Sequence, residues 1–446
     1  MSGTGYTALP AGGLESPEAL SRADTDEEVT PGDIAVGVVI GRSSEYFDFF
    51  VFGIACVLVF PALLFPSLSR LDGTLASFAI FSLAFIARPF GTAISMAVQR
   101  RWGRATKLTI ALFLLGSCTV GMAFLPGYQS LGIWAIVLFA VLRIGQGLAL
   151  GGSWDGLPSL LAISAPPGRR GWYSMLGQLG APVGFLMAAG LFAFVHDQST
   201  PEEFMAWGWR YPFFVAFAIN VVALFARLRL VVGQSYSHLL HQNELEPVKA
   251  SEVMGSEGRN VIIGAFAALA SFALFHLVTI FPLSYIEIYS DQPVTNVLRV
   301  QMLGAVLACI AMVASGWLAD RFGRRNTLGT MAALICVFSL VSPWMLGNGQ
   351  AGNNAFLIIG FILLGLSYGQ SSGTVTANFT PHFRYTGAAL SADMAWLVGA
   401  AFAPLVALSV SARFGLAGLG FYLLSGGLCT LAALAINRAI ETRDDL

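Results

Sequence analysis

The feature that most constrains this chain is a series of long apolar stretches separated by short polar turns. An α-helix needs about 20 apolar residues to cross the hydrocarbon core of a bilayer. Hydrophobic residues make up 56% of the chain and charged residues only 11%, whereas a soluble domain carries roughly 25% charged residues. We therefore predict an all-α polytopic membrane protein with twelve transmembrane helices in two six-helix halves. The predicted spans are 34–59, 74–98, 107–125, 131–157, 171–195, 207–230, 260–289, 295–319, 327–346, 355–378, 385–409 and 416–438.

One long polar interruption divides the series, at residues 231–259 near the middle of the chain. It predicts a cytoplasmic linker between an N-terminal half, 34–230, and a C-terminal half, 260–438. Residues 1–33 are acidic and lack the cationic start and apolar run of a signal peptide, so we predict a disordered acidic cytoplasmic tail. Residues 439–446 form a short cytoplasmic tail.

The distribution of basic residues predicts the orientation. Of the 24 Lys and Arg residues, 16 fall in loops or chain ends on the side of the N-terminus. The opposite side holds only Arg70, Arg210, Arg299 and Arg413. By the positive-inside rule, both termini are predicted to lie in the cytoplasm, and the protein to be multi-pass in the cytoplasmic (inner) membrane.

Composition also limits the partners. The formal net charge of -1 offers no basic surface for nucleic acid. The five cysteines form no CxxC pair, and we find no phosphate-binding loop or metal-spaced cluster. We expect no metal or other cofactor and no enzymatic activity. The expected partners are a small-molecule substrate, protons and the lipid bilayer, and we expect a monomer.

A short internal repeat links the two halves. Residues 101–104 read Arg-Trp-Gly-Arg, and residues 321–324 read Arg-Phe-Gly-Arg, at an offset of 220 residues. Each copy follows the second predicted span of its half. This placement predicts two parallel repeats, the arrangement in which substrate binds between the halves near the middle of the membrane.

The second copy extends to GWLADRFGRRNTL, 316–328, which resembles the loop motif of the major facilitator superfamily. GRSSEYFDFFVFG at 41–53 is similar to the first span of that superfamily's metabolite:proton symporters, which handle citrate, dicarboxylates, shikimate, proline and betaine. RIGQGLALGGSWDG at 143–156 and APPGRRGWYSMLGQLGAPVG at 165–184 resemble their fourth and fifth spans. The resemblance implies alternating-access symport of a small polar metabolite, an organic anion, driven by protons.

The loop motif implies a set of gating residues: Arg100, Arg104, Gly316, Asp320, Arg321, Gly323 and Arg324. Gly316 allows close approach of two helices, Gly323 allows a tight turn, and Asp320 can meet a helix N-terminus or a basic partner. The first copy departs from the family, with Gln99-Arg100 in place of Gly-Asp. We expect Arg100 to oppose the N-terminus of the eleventh span, where the family has an attractive acid.

Charged residues at membrane depth are costly and usually functional. Arg42, Glu45 and Asp48 are spaced i, i+3, i+6, which predicts one broad face pointing into a cavity. An internal Arg42–Glu45 pair that only orders the first span is the alternative. Asp393 lies about 13 Å inside the eleventh span. It is either a protonation site, replacing the acid that the subfamily has at Ser153, or a neutral buried acid.

The remaining candidates come from the first, second, fourth and fifth spans. Arg143 resembles the fourth-span arginine that the superfamily associates with proton coupling. Arg88 is either a grip for a substrate carboxylate or half of a fixed pair with a first-span acid. The proton-coupling candidates are Glu45, Asp48, Arg143, Asp155 and Asp393. The substrate-binding candidates are Arg42, Arg88, Gln146, Trp154 and Gln178.

Two other functions stay open at this stage. A proton-coupled drug antiporter is favoured by Gly180-Ala181-Pro182-Val183-Gly184, because antiporters carry a Gly-Pro motif on the fifth span. A non-transporting sensor or scaffold is motivated by the altered first loop and the acidic tail. A lone histidine, His276, is expected to pack rather than to relay protons.

Overall fold

The computed structural model describes residues 31–154, 156, 160–161, 165–232, 245–372 and 379–436. The longer helices, numbered in chain order, are α1 Pro31–Leu58, α2 Arg70–Phe124, α3 Ile133–Gly152, α4 Arg170–Leu176, α5 Gly180–Gln198, α6 Tyr211–Val232, α7 Ala250–Ala267, α8 Leu269–Thr279, α9 Phe281–Tyr289, α10 Val294–Phe322, α11 Arg324–Met345, α12 Gly349–Tyr368, α13 Pro381–Ala395, α14 Ala403–Phe414 and α15 Leu416–Ile436. A short π-helix, Trp396–Ala400, joins α13 to α14. Short helical turns are Phe60–Leu64, Tyr128–Leu131, Pro201–Ala206 and Gly208–Arg210.

Many of these helices, alone or joined to a neighbour, are long and apolar enough to span a membrane. Ten helical segments of the described residues meet that description by length and composition, and the 55-residue α2 is one of them. Helix α1 does not, because Arg42, Glu45 and Asp48 fall within any stretch of it long enough to cross. The prediction of an all-α polytopic membrane protein is confirmed.

The loop predicted between the second and third spans is instead a sharp break inside α2. Gly103 has φ 84° within an otherwise continuous helix. Gly323, 220 residues later, has φ 85° between α10 and α11. A positive φ of this size strains any residue with a Cβ, so glycine is required at both breaks. The two copies of the motif thus turn at glycines with nearly the same φ, in accord with the predicted repeat.

The helices form two groups that meet along a central interface. In the first group, α1 packs on α5 and α6, and α2 packs on α3 and α6. In the second, α10 packs on α12, α11 on α15, and α7 on α13. Between the groups, α4 and α5 contact α10, and α13 contacts α2. The polar residues of the site lie around this interface.

Several predicted boundaries differ from the structure. Helix α3 ends at Gly152, and Trp154 is no longer helical, whereas the fourth span was predicted to reach 157. The last ten residues of the predicted 231–259 linker belong to α7. The seventh span is divided into α7, α8 and α9. The linker residues 233–244 and both predicted tails, apart from 31–33, lie outside the described residues, so the predicted domain boundaries stay predictions.

Candidate functional site

A narrow cavity lies between the two groups of helices. Its volume is about 40 Å³, which is enough for a few water molecules. Its lining side chains are Arg42, Tyr46, Arg88, Trp154, Gln178, Phe272, Tyr368, Ser371, Ser372, Ala388, Ala392 and Trp396. The cavity must therefore widen before a metabolite can enter it.

Arg42 reaches this cavity from α1 and shares a carboxylate with a second arginine. Its Nη1 lies 2.9 Å from Glu45 Oε2, and Arg227 Nη1 of α6 lies 2.5 Å from Glu45 Oε1. Arg227 also donates to the Ser153 carbonyl, at 3.0 Å. The Arg42–Glu45 pair considered from the sequence is thus present. Arg227 is one of the 16 basic residues assigned to the side of the N-terminus, but it is buried and joins that pair.

Arg88 reaches the cavity from α2 and pairs across the interface. Its Nε lies 2.7 Å from Asp393 Oδ1, and both side chains are largely buried. Thr92 Oγ1 donates to Asp393 Oδ2. The Arg88 guanidinium stands 5.7 Å from the ring centre of Trp396. The alternative in which Arg88 pairs with a first-span acid is wrong. Its pair with Asp393 joins the second and eleventh spans, and so the two halves.

Asp48 lies in a separate network inside the first group of helices. Thr119 Oγ1 donates to Asp48 Oδ1 at 2.7 Å, and Gln146 Nε2 lies 3.4 Å from Asp48 Oδ2. Arg143 Nη1 donates to Gln146 Oε1 at 3.0 Å. Arg143 also stacks on Phe52, 4.0 Å from the ring centre. No ion pair of Asp48 occurs among the described residues, and Gln146 bonds both Asp48 and Arg143.

The prediction that Arg42, Glu45 and Asp48 form one face of α1 pointing into a cavity is therefore wrong in part. Arg42 lines the cavity, but Glu45 and Asp48 do not. Six residues of a 3.6-residue helix turn by about 120° net, so Arg42 and Asp48 point in different directions. Gln146 does not line the cavity either, because its amide is bonded within the Asp48 network. Asp155 lies outside the described residues.

Trp154 and Gln178 do line the cavity, as expected for binding candidates. Trp154 faces the Arg42 guanidinium at 5.7 Å, and Gln178 Nε2 lies 3.3 Å from Ser371 Oγ. Sequence reasoning missed the other lining residues, among them Tyr46, Tyr368 and Trp396. Their aromatic side chains in apolar spans gave no signal that separated them from core residues.

The loop motif of the second copy closes one end of the interface, which we call the loop-motif end. Asp320 accepts hydrogen bonds from the backbone N–H groups of Gly171, at 2.6 Å, and Trp172, at 3.2 Å. These are in the first turn of α4, so the expected contact with a helix N-terminus is present. Arg324 Nη2 lies 3.4 Å from the Arg170 carbonyl oxygen. Arg321 instead lies over Trp317 at the surface, 5.3 Å from its ring centre.

Gly316 has the role expected of it. A Cβ built on Gly316 would lie 3.1 Å from Trp172 Cα and 2.9 Å from Met175 Cγ. The reciprocal position, Gly171, has no room for a Cβ, which would lie 2.7 Å from Ala319 Cβ. The two glycines let α4 and α10 touch, which brings Asp320 to the backbone N–H groups.

The contacts of Arg100 differ from the expectation. Its Nη1 donates to the Val248 carbonyl at 3.1 Å, and the Val248 N–H donates to Thr386 Oγ1 at 3.0 Å. Arg100 thus bonds the backbone just before α7 instead of facing the N-terminus of α13. Arg104 is partly buried just beyond the Gly103 break.

Two further expectations can be compared with the structure. His276 is packed among rings of Phe49, Phe81 and Phe275, as a packing histidine would be. A Cβ on Gly180 would lie 2.5 Å from Arg42 Cβ, and one on Gly184 would lie 2.7 Å from the Phe47 nitrogen. The glycine spacing that favoured an antiporter therefore serves close packing of α5 on α1.

A bundle of membrane-length helices in two groups, with a cavity between them that two arginines line, is the architecture of a secondary transporter. Residues 131–404 match the family described as Major Facilitator Superfamily. The protein is similar to the inner membrane metabolite transport protein YhjE of Escherichia coli (strain K12), at 34% identity covering 94% of this chain and 97% of that protein. The chain belongs to the major facilitator superfamily.

Other relatives agree with this assignment. The shikimate transporter of Escherichia coli (strain K12) is 30% identical, covering 90% of this chain and 92% of that protein. The citrate-proton symporter of Klebsiella pneumoniae is 27% identical, covering 94% and 95%. A crystal structure of a D-xylose-proton symporter has a TM-score of 0.69 at 18% identity, covering 91% and 97%. The resemblance to metabolite:proton symporters is confirmed, and the chain is a transporter, not an enzyme.

Proposed function

We propose that this protein is a proton-coupled symporter of a small organic anion in the inner membrane, and that Asp48 carries the proton. The observation that carries the proposal is that the buried arginines at the cavity and the buried carboxyl group of Asp48 lie in two separate places. Two arginines face the cavity between the halves, and one carboxyl group without an ion pair lies apart from it. Shikimate and citrate, named for two relatives, are both carboxylates.

The substrate site is the cavity that Arg42 and Arg88 line. Guanidinium groups bind carboxylates through paired hydrogen bonds, and here each already has a carboxylate partner. A substrate carboxylate would share or exchange these partners. Trp154 and Trp396 lie beside the two guanidinium groups and supply apolar walls for the rest of the metabolite.

Asp48 is the best-placed proton carrier of the candidates. Glu45 and Asp393 would each have to give up an arginine on protonation. Asp48 can take a proton without breaking an ion pair, because its partners are a hydroxyl and an amide. Protonation of Asp48 would weaken the hydrogen bond that Gln146 Nε2 donates to it, and Gln146 Oε1 accepts from Arg143, so the proton is linked to Arg143 through Gln146.

The loop-motif end faces the cytoplasm in this proposal, in accord with the positive-inside rule. The halves meet at both ends of the interface: Asp320 of α10 bonds α4 at one end, and Arg299 pairs with Asp197, at 2.6 Å, at the other. Transport would release these contacts alternately.

The test uses purified protein. Carboxylates, amino acids and betaines are first screened for a rise in thermal stability, since a ligand that binds the folded state stabilises it. Compounds that bind are then offered to proteoliposomes with and without an imposed pH gradient. We expect uphill uptake of a carboxylate only when the outside is more acidic, and loss of binding in Arg88→Met but not in Arg299→Met. Efflux of lipophilic dyes without carboxylate uptake would contradict the proposal.

A further inference from the structure

The first copy of the loop motif has lost its acid, yet the halves are still closed beside it. Arg100 stands 220 residues before Asp320, at the equivalent place in the repeat. It bonds the Val248 carbonyl and makes no contact that corresponds to those of Asp320. Asp393 of α13 bonds Arg88 and Thr92 of α2 beside the cavity, and a second contact joins α13 to the first half nearer the N-terminus of α13.

Tyr385 of α13 makes this contact with the first half. Its side chain is completely buried although it begins near a helix end. Its hydroxyl lies 3.0 Å from Gln99 Oε1 and 3.3 Å from the Trp154 carbonyl oxygen, and Lys107 Nζ lies 3.1 Å from it. The hydroxyl has one hydrogen, so it donates to Gln99 Oε1 or to the Trp154 carbonyl oxygen, and it accepts a hydrogen bond from Lys107.

The socket around this ring includes Lys107 and Gly156 of the first half. Lys107 is fully buried and also donates to the Trp154 carbonyl, which fixes its ammonium group below the ring. Gly156 closes the socket on another side with φ 78°, and a Cβ there would lie 2.4 Å from Tyr385 Cε2. Any larger residue at 156 would clash with the ring as well as strain the backbone.

We infer that Tyr385, seated in the socket formed by Gln99, Lys107 and Gly156, holds α13 against the first half at the loop-motif end. We call this contact the latch. It replaces the missing acid of the first loop motif. When this end opens, the hydroxyl leaves the socket and water takes its place on Lys107 and Gln99. Tyr385 acts by positioning the halves and does not touch the substrate. The latch is separate from Asp320, which holds α10 against α4.

The test measures exposure at each end of the interface, without any substrate. Ser372→Cys reports the loop-motif end, because Ser372 Oγ lies 3.3 Å from the Ser174 carbonyl oxygen of α4. Ala401→Cys reports the other side of the cavity, where the Ala401 carbonyl accepts a hydrogen bond from Ser82 of α2. Each variant is made in a background without other cysteines. Tyr385→Phe keeps the ring but removes the hydroxyl. We expect labelling of Ser372→Cys by a soluble thiol reagent to rise roughly tenfold, as loss of one or two buried hydrogen bonds implies. Labelling of Ala401→Cys should fall.

Two further variants guard against a general loss of structure. Tyr422→Phe removes another tyrosine hydroxyl, on α15 away from the socket, and should leave both labelling rates unchanged. Gln99→Leu approaches the latch from the other half and should reproduce the effect of Tyr385→Phe, and the double variant should add little. If Tyr385→Phe and Gln99→Leu label at the same rates as Tyr422→Phe, the latch is refuted. Because no transport is measured, this outcome is independent of the proposed symport.

Discussion

The three buried carboxyl groups of this site differ in what neutralises them. Glu45 lies between Arg42 and Arg227, and Asp393 is paired with Arg88. Within the described part of the chain, the hydrogen-bond partners of Asp48 are Thr119 and Gln146. Removing one member of a buried ion pair leaves an uncompensated charge, whereas replacing both members can be nearly neutral. Structural and binding roles of Arg88 can therefore be separated.

We predict that Arg88→Met alone destabilises the protein by about 3–5 kcal/mol, because Asp393 is left buried without its partner. The double variant Arg88→Met/Asp393→Leu should recover most of that loss. Thermal unfolding in detergent measures both effects. Neither variant should bind the substrate, since both lack Arg88. A double variant as unstable as Arg88→Met would show that Arg88 contributes by packing and not through its pair.

At the scale of elements, the contact between α4 and α10 depends on glycine. We predict that Gly171→Ala opens the loop-motif end, because its Cβ would press on Ala319 and on Asp320 Oδ1, 2.9 Å away. Labelling of Ser372→Cys should increase. Gly255→Ala is the matched control, because nothing lies within 4 Å of the added Cβ. Equal labelling in the two variants would mean that α4 and α10 do not form the gate.

The elements also show how far sequence reasoning reached. Apolar length identified the spans, and the loop motif identified Gly316, Asp320 and Gly323 with their contacts. The partners across the interface were not predictable, because Arg88 and Asp393 are more than 300 residues apart and no local pattern joins them. Asp48 was misplaced because residues six apart on a helix do not share a face. The socket of Tyr385 was not predicted, because Gln99 and Lys107 lie in and just after the first copy of the loop motif, which departs from the family pattern.

At the scale of the whole molecule, the orientation in the membrane rests on the distribution of basic residues. Arg227 and Lys107 are among the 16 basic residues counted on the side of the N-terminus, although both are buried. Both lie near the loop-motif end, so the predicted orientation does not change. We predict that Gln350→Cys is labelled on intact cells by an impermeant thiol reagent, and that Ser251→Cys is labelled only after lysis. Both positions are exposed. The reverse pattern would invert the topology. The expected monomer stays a prediction.

The central claim is that Asp48 carries the proton, apart from a cavity that holds the substrate. The most direct measurement compares wild-type protein with Asp48→Asn in proteoliposomes, using a substrate found in the binding screen. The asparagine keeps the bond to Thr119 but cannot take up and release a proton. We predict that the variant loses uphill uptake driven by a pH gradient, while exchange of labelled for unlabelled substrate continues. Uphill uptake by Asp48→Asn at the wild-type level would contradict this account.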